Sequence, residues 1–93
     1  MYQVKTYARH DHDEDSPTFT EFGTCETFTD EQAALTSASL TATNDYTCRM
    51  VGAKFDGFAV VVFRDNEPEA CIEHDGIRLV SWHGDEISDD FRK

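Results

Sequence analysis

The stretch "FAVVVF", residues 58 to 63, is apolar at every position. Successive side chains of a strand point to opposite faces, so a strand with this composition must have both faces covered. A helix can cover one of them. The second needs a loop, the C-terminal segment or another subunit, and the last option makes a homodimer one expected arrangement.

The rest of the chain is patterned around that strand. Residues 2 to 9 alternate, with Tyr2, Val4, Thr6 and Ala8 on one face and Gln3, Lys5, Tyr7 and Arg9 on the other, which predicts a half-exposed strand. A Thr- and Phe-rich strand follows through "TFTEFGTCETF", where Phe19 and Phe22 fall out of phase and predict a bulge near Thr20 to Gly23. "TDEQAALTSASLTATND" then takes a helical period, with Thr29 expected as the cap, Asp30 and Glu31 at the positive end and Asn44 at the exit. Its apolar residues Ala34, Leu35, Ala38 and Ala42 form a narrow stripe of mostly small side chains that lets a helix lie close on a sheet.

Two Asp-Gly pairs punctuate the remainder. Asp56-Gly57 lies between "YTCRMVGAKF" and "FAVVVFR", Asp75-Gly76 lies between "EACIEH" and "IRLVSW", and a two-residue Asp-Gly loop predicts a hairpin. The second hairpin would set Glu73 opposite Arg78 and Ile72 opposite Leu79, and "DNEP" would join the two. The expected fold is one α+β domain over residues 1–93, a mostly antiparallel sheet in the order β-β-α-β-β-β-β with one helix packed on a face.

With 93 residues there is room for one core, and 39% hydrophobic content with 12% aromatic is enough to pack it. Asp and Glu number 19 against 8 Lys and Arg, a net charge of −11 that repels phosphate backbones and anionic lipid. Direct binding to nucleic acid or to a membrane surface is not expected. No stretch approaches the roughly 18 to 20 apolar residues that span a bilayer, and "MYQVKTYARH" lacks the apolar core of a signal peptide, so a cytoplasmic protein is expected. Cys25, Cys48 and Cys71 cannot all pair within one chain, which fits reduced thiols.

"RHDHDED", residues 9 to 15, is the densest run of titratable groups. Asp11, Asp13 and Asp15 match the first, third and fifth positions of an EF-hand calcium loop, but Ser16 stands where the turn glycine belongs and Phe22 where a bidentate Glu is needed. His10 and His12 supply an incomplete zinc set, as does Cys71-x-x-His74. No metal and no cofactor is expected. "SWHGD" offers Ser81, His83 and Asp85, yet such neighbours on a strand stand about 6.7 Å apart and point out in parallel, where a triad needs contacts in series. No phosphate loop, nucleophile elbow or dinucleotide fingerprint appears, and the chain is not expected to be an enzyme.

What remains is the distribution of acid: Asp11, Asp13, Glu14 and Asp15; then Asp65, Glu67 and Glu69; then Asp85, Glu86, Asp89 and Asp90. The last four repeat at four-residue intervals, and like charges at that spacing on a helical turn destabilise it, so folding gains nothing from them. Carboxylates two apart on extended chain are about 6.7 Å from one another. A strand of DNA presents one charge per roughly 3.4 Å, so an acidic protein edge can approximate a phosphate track. These eleven carboxylates are therefore the candidate partner-binding residues.

In size, charge and a lone α+β domain the chain resembles the small acidic inhibitors encoded by phages and mobile elements, the anti-CRISPR and anti-restriction proteins, several of which are nucleic-acid mimics. The resemblance rests on no motif, so no functional residue is carried over from it. It implies a non-enzymatic inhibitor whose acidic surfaces bind a cationic nucleic-acid-binding protein, a CRISPR effector or restriction nuclease, in the host cytoplasm. The reading from another class is a small dimeric accessory or structural domain, with acidity of the kind a halophile uses to hold solvent.

Overall fold

The computed structural model describes residues 1–10, 18–44, 57–74 and 78–91. Among these residues five antiparallel strands form one sheet in the order β2-β1-β3-β4-β5: β1 Tyr2–His10, β2 Thr18–Phe28, β3 Gly57–Arg64, β4 Glu67–His74 and β5 Leu79–His83. One helix, α1 Glu31–Thr43, crosses one face, and two 3₁₀ turns, Gly84–Glu86 and Asp89–Phe91, follow β5. The fold is α+β, as the patterning predicts.

β3 occupies the middle because it is apolar on both sides. Phe58, Val60 and Val62 point toward α1, where Ala34, Ala38 and Ala42 are buried against them. Burying each of these large side chains contributes roughly 1.5 to 3 kcal/mol, and the small helix residues let the backbone approach closely enough to exclude water. Ala59, Val61 and Phe63 point the other way, where Ile87 and Phe91 of the C-terminal segment cover them together with the half-buried Tyr7, Phe19 and Trp82. Of the three covers expected for the second face, the C-terminal segment is the one seen among the described residues.

Several local details differ from the sequence expectation. The helix is capped by Asp30 rather than Thr29: the Asp30 carboxylate accepts from the Ala33 N–H at 3.0 Å, while Asn44 closes the other end by donating its N–H to the Thr41 carbonyl at 3.3 Å. Asp carries the stronger acceptor for an orphan helix donor, and moving the cap by one residue leaves the alanine stripe on the sheet.

β3 is flanked by β1 and β4 along its whole length, Gly57 to Arg64. No edge of β3 is left for the hairpin expected across Asp56-Gly57, whose first strand falls in residues 45–56, outside those described. The hairpin that forms is β3–β4. Arg64 pairs with Glu67 across a two-residue turn in which Asp65 (φ 49°) and Asn66 (φ 72°) are both left-handed. Asp and Asn tolerate that region better than other non-glycine residues, and such a turn matches the twist of paired strands.

β4 and β5 do pair, but in a register two residues away from the one a tight Asp75-Gly76 loop would impose: Glu73 faces Val80, Ile72 faces Ser81 and His74 faces Leu79. A shift of two keeps every side chain on its face. It also places Trp82 opposite Cys71, on the side covered by the C-terminal segment.

On the other edge, Val4 faces Glu26 and Thr6 faces Phe22, so β2 contributes residues 23–25 where β1 contributes Lys5 alone. Gly23, at φ 75°, supplies the left-handed step of this expected bulge.

Candidate partner-binding surface

The antiparallel order decides which acidic residues meet. Tyr2 of β1 pairs with Phe28 of β2 and with Arg64 of β3, and Ala70 of β4 pairs with His83 of β5. One end of the sheet therefore collects the start of α1, the β3–β4 turn and the exit of β5. That end carries Asp30, Glu31, Asp65, Glu67, Asp85 and Glu86, all exposed. Asp11, Asp13, Glu14 and Asp15 lie outside the described residues; the strands they connect close with His10 opposite Thr18, at the far end of the sheet.

Within the expected set the carboxylates divide by what they touch. Asp65 is held by the chain's own N-terminus: the Met1 ammonium lies 3.2 Å from its Oδ1, and its backbone N–H donates to the Met1 carbonyl at 3.1 Å. Glu69 sits at an irregularity of β4, where the pairing shifts between Val62 and Phe63. Its Oε1 is 3.8 Å from Nη1 of Arg64, and its Oε2 is enclosed without a hydrogen-bond partner among the described residues. Asp90 closes its own turn, with the Ser88 hydroxyl donating to Oδ2 at 2.9 Å and the Asp90 N–H donating to that hydroxyl at 3.2 Å. Asp85 with Glu86 and Asp89 with Asp90 lie on separate 3₁₀ turns, so the four do not form the single helical stripe their spacing suggests.

Glu67, Asp85 and Glu86 differ. Among the described residues none of the three has an ion pair, whereas Lys5 lies 3.7 Å from Glu21, Arg9 lies 4.0 Å from Glu73 and Arg64 turns to Glu69. The excess negative charge at this end also acts on Tyr2, whose hydroxyl donates to Glu31 at 3.3 Å. Desolvation raises its phenol pKa, and Glu31 and Glu69 push the same way against the Arg64 guanidinium.

Asp30 and Glu31 belong to this surface although the sequence marks them only as helix-start residues. Their signal was topological, since Phe28 ends β2 beside Tyr2. Glu73 is the opposite case, a half-buried acid with internal partners. It accepts from the Trp82 indole N–H at 3.3 Å and faces Arg9.

Among the described residues no three metal-ligating side chains come together. Cys71 and His74 point to opposite faces, Cys71 into the cluster beneath the C-terminal segment and His74 stacked on Phe58 at 5.4 Å. Burial pushes the Cys71 thiol up to about 12, with Glu73 adding to the effect, so it stays protonated and weakly nucleophilic near neutral pH. Ser81 and His83 stand side by side on the helix-facing side of β5, pointing in parallel rather than toward one another. No helix among the described residues is long and apolar enough to cross a membrane. No protein-family model matches the chain, and no curated protein or solved structure is significantly similar to it.

Proposed function

We propose that this protein is a non-enzymatic, stoichiometric inhibitor that binds a cationic nucleic-acid-binding protein, of the CRISPR-effector or restriction-nuclease kind, through the acidic end of its sheet. The observation that carries the reading is the lack of any ion pair to Glu67, Asp85 and Glu86 among the described residues, while Lys5, Arg9 and Arg64 face carboxylates elsewhere. Charges without a counterion among the described residues are available to an external one. Neighbouring strands stand about 4.8 Å apart, so acids on adjacent strand ends are spaced on the same order as the charges of a nucleic-acid strand.

Docking of this surface into a Lys- and Arg-rich groove would displace the nucleic acid that the groove holds. The cytoplasm of a host cell is the compartment where such a partner would be met. Asp11, Asp13, Glu14 and Asp15, which lie outside the described residues, would form a second contact.

Capture of the partner from a lysate of the source or host cell, at low and high salt, tests the reading. Binding should weaken steeply as salt shortens the screening length to below roughly 10 Å, and DNA or RNA should compete. A variant carrying Glu67→Lys, Asp85→Lys and Glu86→Lys should stay folded and lose the partner. Full affinity in that variant, or a partner that holds this protein and its nucleic acid together without loss of activity, would falsify the mimicry.

A further inference from the structure

We propose that the helix-facing side of the β4–β5 edge carries an anchor slot for one large apolar side chain, presented by a Lys- or Arg-bearing segment of the partner. The inference rests on the reading above for the partner's charge, and adds what would hold it.

Among the described residues α1 packs over β1 to β4 and makes no comparable contact with β5. Opposed residues of paired strands share a face, so Ser81 stands beside Ile72 and His83 beside Ala70 on the helix side. Leu79, on the same side, is 41% exposed, one of few large apolar residues so open. Trp82, on the reverse of β5, is half-buried. Among the described residues the flank of the sheet facing the helix is therefore the open one.

Between this flank and α1 lies a cavity of about 170 Å³. Leu35, Ala38, Val60, Val62 and Ile72 form its apolar wall, and the exposed Ser39, Ser81 and His83 surround its mouth. Pockets for drug-sized ligands run to roughly 300–1,000 Å³, whereas an apolar cavity of about 150 Å³ takes one benzene ring. The slot is the size of a single aromatic or branched side chain.

Charge decides what carries that side chain. Ala70 and His83 adjoin, in sequence, Glu69 and the Gly84–Glu86 turn, so the slot opens beside the acidic end of the sheet. With a net charge of −11 the protein disfavours an anionic ligand here. An apolar residue flanked by Lys or Arg satisfies both features, in the arrangement of a central anchor within a charged rim.

Blocked pentapeptides provide the probe. Lys-Lys-Phe-Lys-Lys should bind the full chain about fivefold to tenfold more tightly than Lys-Lys-Ala-Lys-Lys at low salt, with NMR shifts at Leu35, Ile72 and Ser81. Ser81→Phe, which fills the mouth from a strand position that favours aromatics, should bring that ratio close to one and leave the alanine peptide's affinity and salt dependence unchanged. Ser39→Leu should do the same from the helix side, which keeps the test open if one variant fails to fold. Equal binding of the two lysine peptides to the wild type overturns the slot while leaving the acidic surface standing. Binding of Glu-Glu-Phe-Glu-Glu as tightly as its lysine counterpart overturns the cationic occupant, and failure of every peptide overturns the slot and the acidic surface together.

Discussion

The ring of Phe91 packs on the ring of Tyr7, centroids 4.9 Å apart and tilted by 53°. The same ring lies 4.8 Å from Phe19, so one C-terminal residue joins β1 and β2 beneath the sheet. Phe91→Ala should cost about 3 to 5 kcal/mol in urea unfolding, because the ring is buried and the site cannot collapse around three aromatic positions. It should also bare the second face of β3 and promote self-association, measurable by sedimentation. A loss below about 1 kcal/mol would mean that the segment does not cover the sheet.

The helix cap separates two adjacent residues. Asp30→Ala removes the acceptor for the Ala33 N–H and should cost about 1 kcal/mol. Thr29→Ala should stay within about 0.5 kcal/mol, since Thr29 does not serve as the cap. The reverse ranking in thermal or urea unfolding would return the cap to Thr29.

Alkaline pH should destabilise the fold in a defined window. Burial raises the Cys71 thiol from 9.0 to about 12 and the Tyr7 phenol from 10.0 to about 12. Above about pH 9 the unfolded chain releases protons that the folded chain keeps, so the folded state binds more protons and its stability falls as pH rises toward 12. Below pH 9 both groups are protonated in either state and contribute no slope. Urea midpoints between pH 7 and 11 check the sign. Iodoacetamide at pH 8 should modify the exposed Cys25 in the native protein, and Cys71 only after unfolding.

Not every carboxylate should tolerate reversal. Glu73 accepts from the only tryptophan of the chain and faces Arg9, with 22% of its side chain exposed. Glu73→Ala should cost about 1 kcal/mol and shift Trp82 emission to longer wavelength. Glu67→Lys, Asp85→Lys and Glu86→Lys together should leave that emission in place and stability within about 1 kcal/mol, since no ion pair is broken among the described residues. Equal damage from the two variants would show that the exposed acids belong to the fold.

Several features of the fold are legible in the sequence because they depend on near neighbours. The alternation of residues 2 to 9 marks β1, the alanine spacing marks the face of α1, and the doubly apolar "FAVVVF" requires two covers. The acidic clusters are equally visible as a run of letters. What no local pattern specifies is which clusters stand together. Asp30, Glu31, Glu67 and Asp85 share one end only because β2, β3, β4 and β5 turn there.

Where a local signal and a distant contact compete, the distant contact prevails. Asp56-Gly57 promises a hairpin, yet both edges of β3 are held by β1 and β4. Asp75-Gly76 promises one register, yet β5 slides by two residues and Trp82 comes to lie against the cluster of Phe91 and Ile87. The sequence by itself determined the elements seen among the described residues and the charge; the tertiary structure decided the strand order, the register, the cover on the second face and the carboxylates left without a counterion among the described residues, because these follow from burial between segments far apart in the chain.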